Sequence, residues 1–370
     1  MRVVLLLARL AVCVVLCAPA LAQGQGANPG APTKVAFALL GEVDDQGWTA
    51  AHAKAIEQLR REMGQEVEVS LAENVVDTAQ AKAVFRRFAR QGNQLIFGTT
   101  FQHMDAINAV AAEFPGVVFM HCSGVKTRPN LGVYMARIEQ GEYLAGYLAG
   151  LMGYRNVGTV ATQPIPEVVR GINAFTLGLS RGLREAGVKH DADRLNTVVW
   201  LKSWRNADGE ARLARELVAS GVELVRQMAD TPDSARTACS LGTPAIGYGT
   251  DAASHGADCA LTSTTFEWGP LYVDIVRRVR AGTWKSGDLF VGFESGAVGL
   301  APFGKAVPEK IAAKVCAEKD RMARGKDMSF AGPVSDQAGR VRIAAGGRAS
   351  DQELLTMRWF VRGVRGALPD

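Results

Sequence analysis

Lys34-Val35-Ala36-Phe37-Ala38-Leu39-Leu40-Gly41-Glu42-Val43-Asp44-Asp45-Gln46-Gly47-Trp48 is the stretch that decides how this chain folds. Residues 35–40 are apolar without a break. The run is too short for a helix and lacks the alternation of a half-buried strand, so it reads as a strand covered on both faces. A polar loop carrying Trp48 follows. Then His52, Ile56, Leu59 and Met63 recur at helical spacing, and Gly64 offers a stop. Strand, polar loop, helix is the unit of a parallel α/β sheet.

The same unit repeats. Further apolar, strand-like runs lie at 67–71, 94–98, 117–121, 157–161, 197–201, 222–227, 244–248 and 260–264, with helical stripes between most of them. Ala81, Phe85 and Phe88 mark one such stripe, with Asp77 and Thr78 as natural caps. A break near 153–156 follows a helix rich in small residues, 139–151. The pattern predicts two similar α/β lobes: 34–154 with a returning segment near 265–283, and 155–264 with a returning segment near 284–340. Residues 23–33 read as a flexible leader and 341–370 as a C-terminal tail.

Residues 1–22 have the form of a signal peptide. Arg2 opens the segment, 3–17 is apolar apart from Arg9, and Ala20-Leu21-Ala22 suits cleavage. Neither Cys13 nor Cys17 follows a small residue, so a periplasmic protein cleaved near Ala22 is favoured over a lipid-anchored one. The formal charge of +5 falls to +3 without Arg2 and Arg9, and the basic residues are scattered. Nucleic acid and membrane surfaces are therefore poor candidate partners.

Cys122, Cys239, Cys259 and Cys316 remain after cleavage, with no CxxC and no zinc spacing. In an oxidising compartment one disulfide is reasonable, with Cys239 and Cys259 as the proposed pair. Four buried thiols are the alternative. The chain holds no GxGxxG after a strand, no Walker A, no GxSxG and no HExxH. No cofactor and no covalent chemistry are expected. His52, on an apolar stripe, is read as structural.

Ligands of open α/β sheets bind beyond the carboxyl ends of the strands. Trp48 follows the first run, and Trp204, in Ser203-Trp204-Arg205-Asn206, follows 197–201. One large aromatic from each lobe predicts a flat ligand held as a sandwich.

At these residues the chain resembles the basic membrane protein family, the PnrA-like substrate-binding proteins of bacterial ABC importers. The likeness runs through 43–48, 166–175, 261–263 with 268–270, 292–300 and 336–361. It implies the type I periplasmic binding fold with three crossings between lobes. It also implies capture of a purine, handed to a membrane permease with a separate ATPase, with no catalysis. By the resemblance Trp48 and Trp204 are the two stacking aromatics.

Gly249 and Phe266 stand where nucleoside binders of the family have an Asp and a Lys that hold the ribose, so a free base, adenine or an oxopurine, is expected. Unpaired buried hydroxyls of a ribose would cost about 1–3 kcal/mol each. Asp44 and Asp45 are expected at the base edge. Asp251 matches a strand-end Asp of the family and reads equally as a helix cap. Phe101 could meet a ring edge or join the core, Asn173 reach the cleft, Tyr248 form the floor and Phe266 line the wall. Arg170 is expected to pair with an acid. A monomer is expected. The alternatives are a purine nucleoside or a sugar in the same role, or a secreted α/β nucleoside hydrolase using Asp44 and Asp45.

Overall fold

The computed structural model describes residues 31–369, and the expected signal segment 1–22 lies outside them. Ten strands come first in chain order: β1 Thr33–Ala38, β2 Val67–Ala72, β3 Leu95–Gly98, β4 Val118–Cys122, β5 Leu131–Ala136, β6 Val157–Ala161, β7 Asn196–Trp200, β8 Leu224–Met228, β9 Ala245–Gly249 and β10 Ala260–Phe266. Then come β11 Asp288–Val291, β12 Val298–Leu300, β13 Val334–Ser335, β14 Val341–Ile343 and β15 Val364–Arg365. The helices are α1 Trp48–Met63, α2 Thr78–Arg90, α3 Met104–Glu113, α4 Ile138–Leu151, α5 Pro166–Glu185, α6 Ala207–Ala219, α7 Asp233–Ser240, α8 Gly269–Arg280, α9 Glu309–Ala323 and α10 Asp351–Leu355.

Two open sheets result. The first runs β2-β1-β3-β4-β5-β11, every neighbouring pair parallel. The second runs β15-β7-β6-β8-β9-β10-β12 and is parallel up to the antiparallel β10–β12 pair. Through their first five strands the two sheets share one order, with the first strand of each lobe between the second and the third, and β15 extends the second sheet beyond β7. Side chains of β1 alternate between two cores. Val35 and Phe37 enter the larger one, while Ala36 and Ala38 face α2 and α3. Both faces are covered, which is why the run is apolar throughout.

Asp77 caps α2 as its position suggests, accepting from the Gln80 amide at 2.8 Å. Strand β5 breaks the alternation on which the sequence reading relied. Only residues 123–130 separate it from β4, with no helix between the two parallel strands.

The boundaries between lobes differ from those expected. Helix α4 was expected to close the first lobe, but it packs on α5, β10 and β12 of the second. The chain therefore crosses near Arg137, not near 154. Its small residues explain the partnership. A Cβ on Gly146 would sit 2.0 Å from the Phe175 carbonyl oxygen, and one on Gly178 would sit 2.0 Å from that of Tyr143. The two backbones touch, and only glycine permits it. Glu139 pairs with Arg170 at 3.0 Å and Glu142 with Arg226 at 2.6 Å, all four buried. Arg170 thus has the acidic partner anticipated for it.

The chain returns to the first lobe for α8, which packs on α1, and for β11, which pairs with β5. It crosses back between Val291 and Val298, later than the expected 284. The tail docks on the second lobe. β15 extends that sheet beside β7, and Met357, Phe360 and Val361 are buried. Cys239 and Cys259 form a disulfide with Cα atoms 5.3 Å apart, and Cys122 and Cys316 are free thiols. Closing a loop of 20 residues is worth about 3 kcal/mol in the chain-entropy account.

Candidate functional site

Where the two strand orders reverse, the carboxyl ends of β1 and β3 face those of β6 and β8. A cleft lined by both lobes lies there, with about 460 Å3 of space when the open solvent at its mouth is included. The first lobe contributes Leu40 after β1, Trp48 at the start of α1, Thr100 and Phe101 after β3, and Ser123 after β4. The second contributes Thr162 and Ile165 after β6, Glu167 and Val168 in the first turn of α5, Trp204 after β7, Met228 and Asp230 at the end of β8, and Tyr248 in β9.

Trp48 is held before any ligand arrives. Its indole N–H donates to the Thr99 carbonyl at 2.8 Å. Phe266, His52 and Trp268 meet it edge-on, at 5.1, 5.0 and 6.2 Å between ring centroids. His52 is fully buried, its ring stacked on Trp268 and its Nδ1 2.6 Å from the Tyr272 hydroxyl. Burial lowers its pKa to about 3, so it stays neutral. Trp204 sits half-buried in the opposite loop, where its carbonyl accepts from the Asp230 amide at 3.3 Å. Both residues line the cavity.

Two acids give the cavity its electrostatic character, and strand-end reasoning had singled out neither. Burial raises Glu167 to about 6, against the opposing pull of Arg170 and the Tyr248 hydroxyl. The latter reaches Glu167 Oε1 at 3.4 Å. Asp230 is held well above the usual carboxylate range, first by burial and then by the Asp45, Glu167 and Glu210 carboxylates. Both follow strands at the switch point, and that position was the signal available for finding them.

The expected residues divide. Trp48, Trp204, Phe101 and Tyr248 line the cavity, with Phe101 remaining 47% exposed at its rim. Five others are committed elsewhere. Asp45 is buried and accepts from the Gly47, Thr49 and Ala50 amides at 3.0, 3.0 and 2.8 Å, stabilising the start of α1. Asp44 is exposed in the loop, outside the cavity lining. Asp251 takes the capping alternative, accepting from the Ala253 amide. Asn173 donates to the Trp359 carbonyl at 2.7 Å and accepts from the Val361 amide at 3.0 Å, holding the tail rather than the cleft. Phe266 stacks on Trp268 and stands behind Trp48 and Tyr248.

The lobes meet across the mouth of the cavity. Thr250 Oγ1 donates to the Gln46 carbonyl at 2.6 Å, and Arg236 donates to the Gln46 side-chain oxygen at 2.9 Å. Gly47 lies against the main chain of Asp230 so closely that a Cβ would fall 1.3 Å from its carbonyl oxygen. This is a closed arrangement of the two lobes.

A family model described as ABC transporter substrate-binding protein, PnrA-like, matches residues 32–337. The chain belongs to that family. A purine-binding protein of Brucella abortus is 36% identical over 347 residues, spanning 94% of this chain and 97% of the relative. A Haloferax volcanii protein provisionally named an ABC transporter glucose-binding protein is 30% identical over 348 residues, with 94% and 84% covered. An ABC transporter solute-binding protein from Conexibacter woesei superposes with a TM-score of 0.65 at 26% identity, covering 80% of this chain and 97% of its own.

As an ABC substrate-binding protein, this molecule binds a small molecule outside the cytoplasm and works with a permease and an ATPase. Proteins of this kind are transporter components rather than enzymes. Among the described residues no helix is long and apolar enough to cross a membrane, and no group of acids, histidines or cysteines is placed to hold a metal.

Proposed function

We propose that this substrate-binding protein captures a purine base between Trp48 and Trp204 and presents it, in the closed form, to its permease. Residues 1–22 direct it to the periplasm and are then removed. The observation that carries the reading is one indole from each lobe on a single interlobe cavity, with acids at its edge. The 36% identity to a purine-binding protein supports it. Each stacked face contributes on the order of 1–3 kcal/mol. Ligand favours closure only as far as it binds the closed form better, and a sandwich meets that condition because its second face exists only there.

Gly249 and Phe266 favour a base over a nucleoside. Gly249 has no side chain to meet a ribose, and Phe266 is spent on Trp48, Tyr248 and Trp268. A sugar is the second reading, favoured by the name of the Haloferax relative.

A thermal-shift screen against purine bases, their nucleosides and simple sugars separates these readings, since a ligand of the native state raises the melting temperature. Stabilisation by a free base and not by its nucleoside or by glucose is the expected result. Trp48→Ala and Trp204→Ala should each weaken titrated affinity by about 1–3 kcal/mol. Response to sugars alone would reject the purine.

A further inference from the structure

The charged residues that line the cavity are both acids, Glu167 and Asp230, with no lysine, arginine or histidine among the described lining residues. The groups acting on Asp230 extend the asymmetry. Asp45 before α1, Glu167 in α5 and Glu210 in α6 bear on it from three elements, with Arg205 opposing them. Arg170, the cation that bears on Glu167, is bound to Glu139. Among the described residues no group donates a hydrogen bond to the Asp230 carboxyl, and the Glu167 carboxyl has only the long contact from Tyr248. The two carboxyls thus keep acceptor capacity that the protein does not use, on a cavity wall they share with Trp204.

We propose that Asp230 and Glu167 read a hydrogen-bond donor edge, so that the cleft takes aminopurines and turns away purines that are anions. The inference rests on the purine reading and narrows it. Guanine sets its ring N1–H beside its exocyclic amine, two donors for the two oxygens of one carboxylate, and adenine offers its amine and its imidazole N–H as separate donors. An anionic oxopurine has lost a proton that could be donated, and its charge would meet two acids with no cation on the lining to balance it. Like charges brought together in such a site are strongly disfavoured. The hydroxyls of Thr100, Ser123 and Thr162 supply weaker, unselective polarity around the rest of the wall.

The test is isothermal titration of the full mature chain with adenine, guanine and uric acid at slightly alkaline pH, where uric acid is an anion. The same series is run on Asp230→Asn and Glu167→Gln, with melting curves confirming that each variant folds. Adenine or guanine should bind at least about tenfold tighter than uric acid, and the ratio should shrink in Asp230→Asn. A loss of affinity equal for all three ligands would mark a merely structural role and overturn the assignment. So would uric acid binding as tightly as the aminopurines, or an unchanged ratio in both variants. If none of the three binds and a sugar does, the purine reading itself has failed and takes this inference with it.

Discussion

Asp45, Asp251 and Asn173 share one lesson at the scale of single residues. Each is a polar side chain expected at the ligand, the two acids near strand ends and Asn173 on α5, and each bonds main chain instead. A short acid just before a helix meets free amides first, because the opening turn leaves them without partners. The acids that do face the cavity stand out by the opposite trait, having few internal donors. Glu210, behind the site, shows what such burial does to proton binding. Thr231 Oγ1 donates to it at 2.6 Å, yet burial pushes it up to about 8. With the folded pKa above the unfolded one, the native state holds a proton that the unfolded chain releases. The stabilisation is complete below the unfolded value, around 4.5, and is lost as pH rises through about 8. Glu210→Gln should therefore give a flatter profile of stability between pH 5 and 8 than wild type. Melting curves across that range check it, and parallel profiles would refute it.

At the scale of elements, the contact between α4 and α5 stiffens the second lobe. Gly146 and Gly150 of α4 lie against the Phe175 and Leu179 carbonyls, and Gly178 and Gly182 of α5 against those of Tyr143 and Tyr147. Replacing a helical glycine with alanine usually gains stability, up to about 1 kcal/mol. Gly146→Ala should do the reverse, because the new methyl meets backbone that cannot rotate away. The expected loss is about 1–3 kcal/mol, as for other overpacked cores. Urea denaturation measures it, and a stabilised variant would mean that the helices separate easily. Stripes of small residues are visible in the sequence, but the partner of a stripe is not. Position 139–151 suggested the end of the first lobe, while the packing assigns this helix to the second.

For the whole molecule, the proposed capture depends on the two lobes approaching as bodies. Gln46, with φ of 63° in the left-handed region, lies at the junction and takes bonds from Thr250 and Arg236 of the other lobe. Gly47 permits the approach, since any side chain there would occupy the place of the Asp230 carbonyl. Gly47→Ala should leave each lobe folded and hinder full closure. Ligand affinity should fall about tenfold or more, equivalent to about 1.4 kcal/mol, with little change in the melting temperature of the free protein. Titration and small-angle scattering with and without ligand read the two effects. Unchanged affinity would mean that the lobes close by another path.

The sequence by itself determined the class of the fold, because a strand covered on both faces must be apolar throughout and a helix covered on one face must carry a stripe. It also pointed to Trp48, Trp204 and Tyr248, which line the cavity, because strand ends and the large aromatics near them can be read locally. The pairing of Cys239 with Cys259 followed from the ends of neighbouring elements. Only the tertiary structure decided where the chain crosses between lobes, since that depends on which surfaces fit together and not on either surface alone. It also decided which acids face the cavity. A carboxylate and its neighbours are distant in sequence, as Asp230, Glu167 and Asp45 are, and their common field arises only when two sheets and a loop are brought to one place.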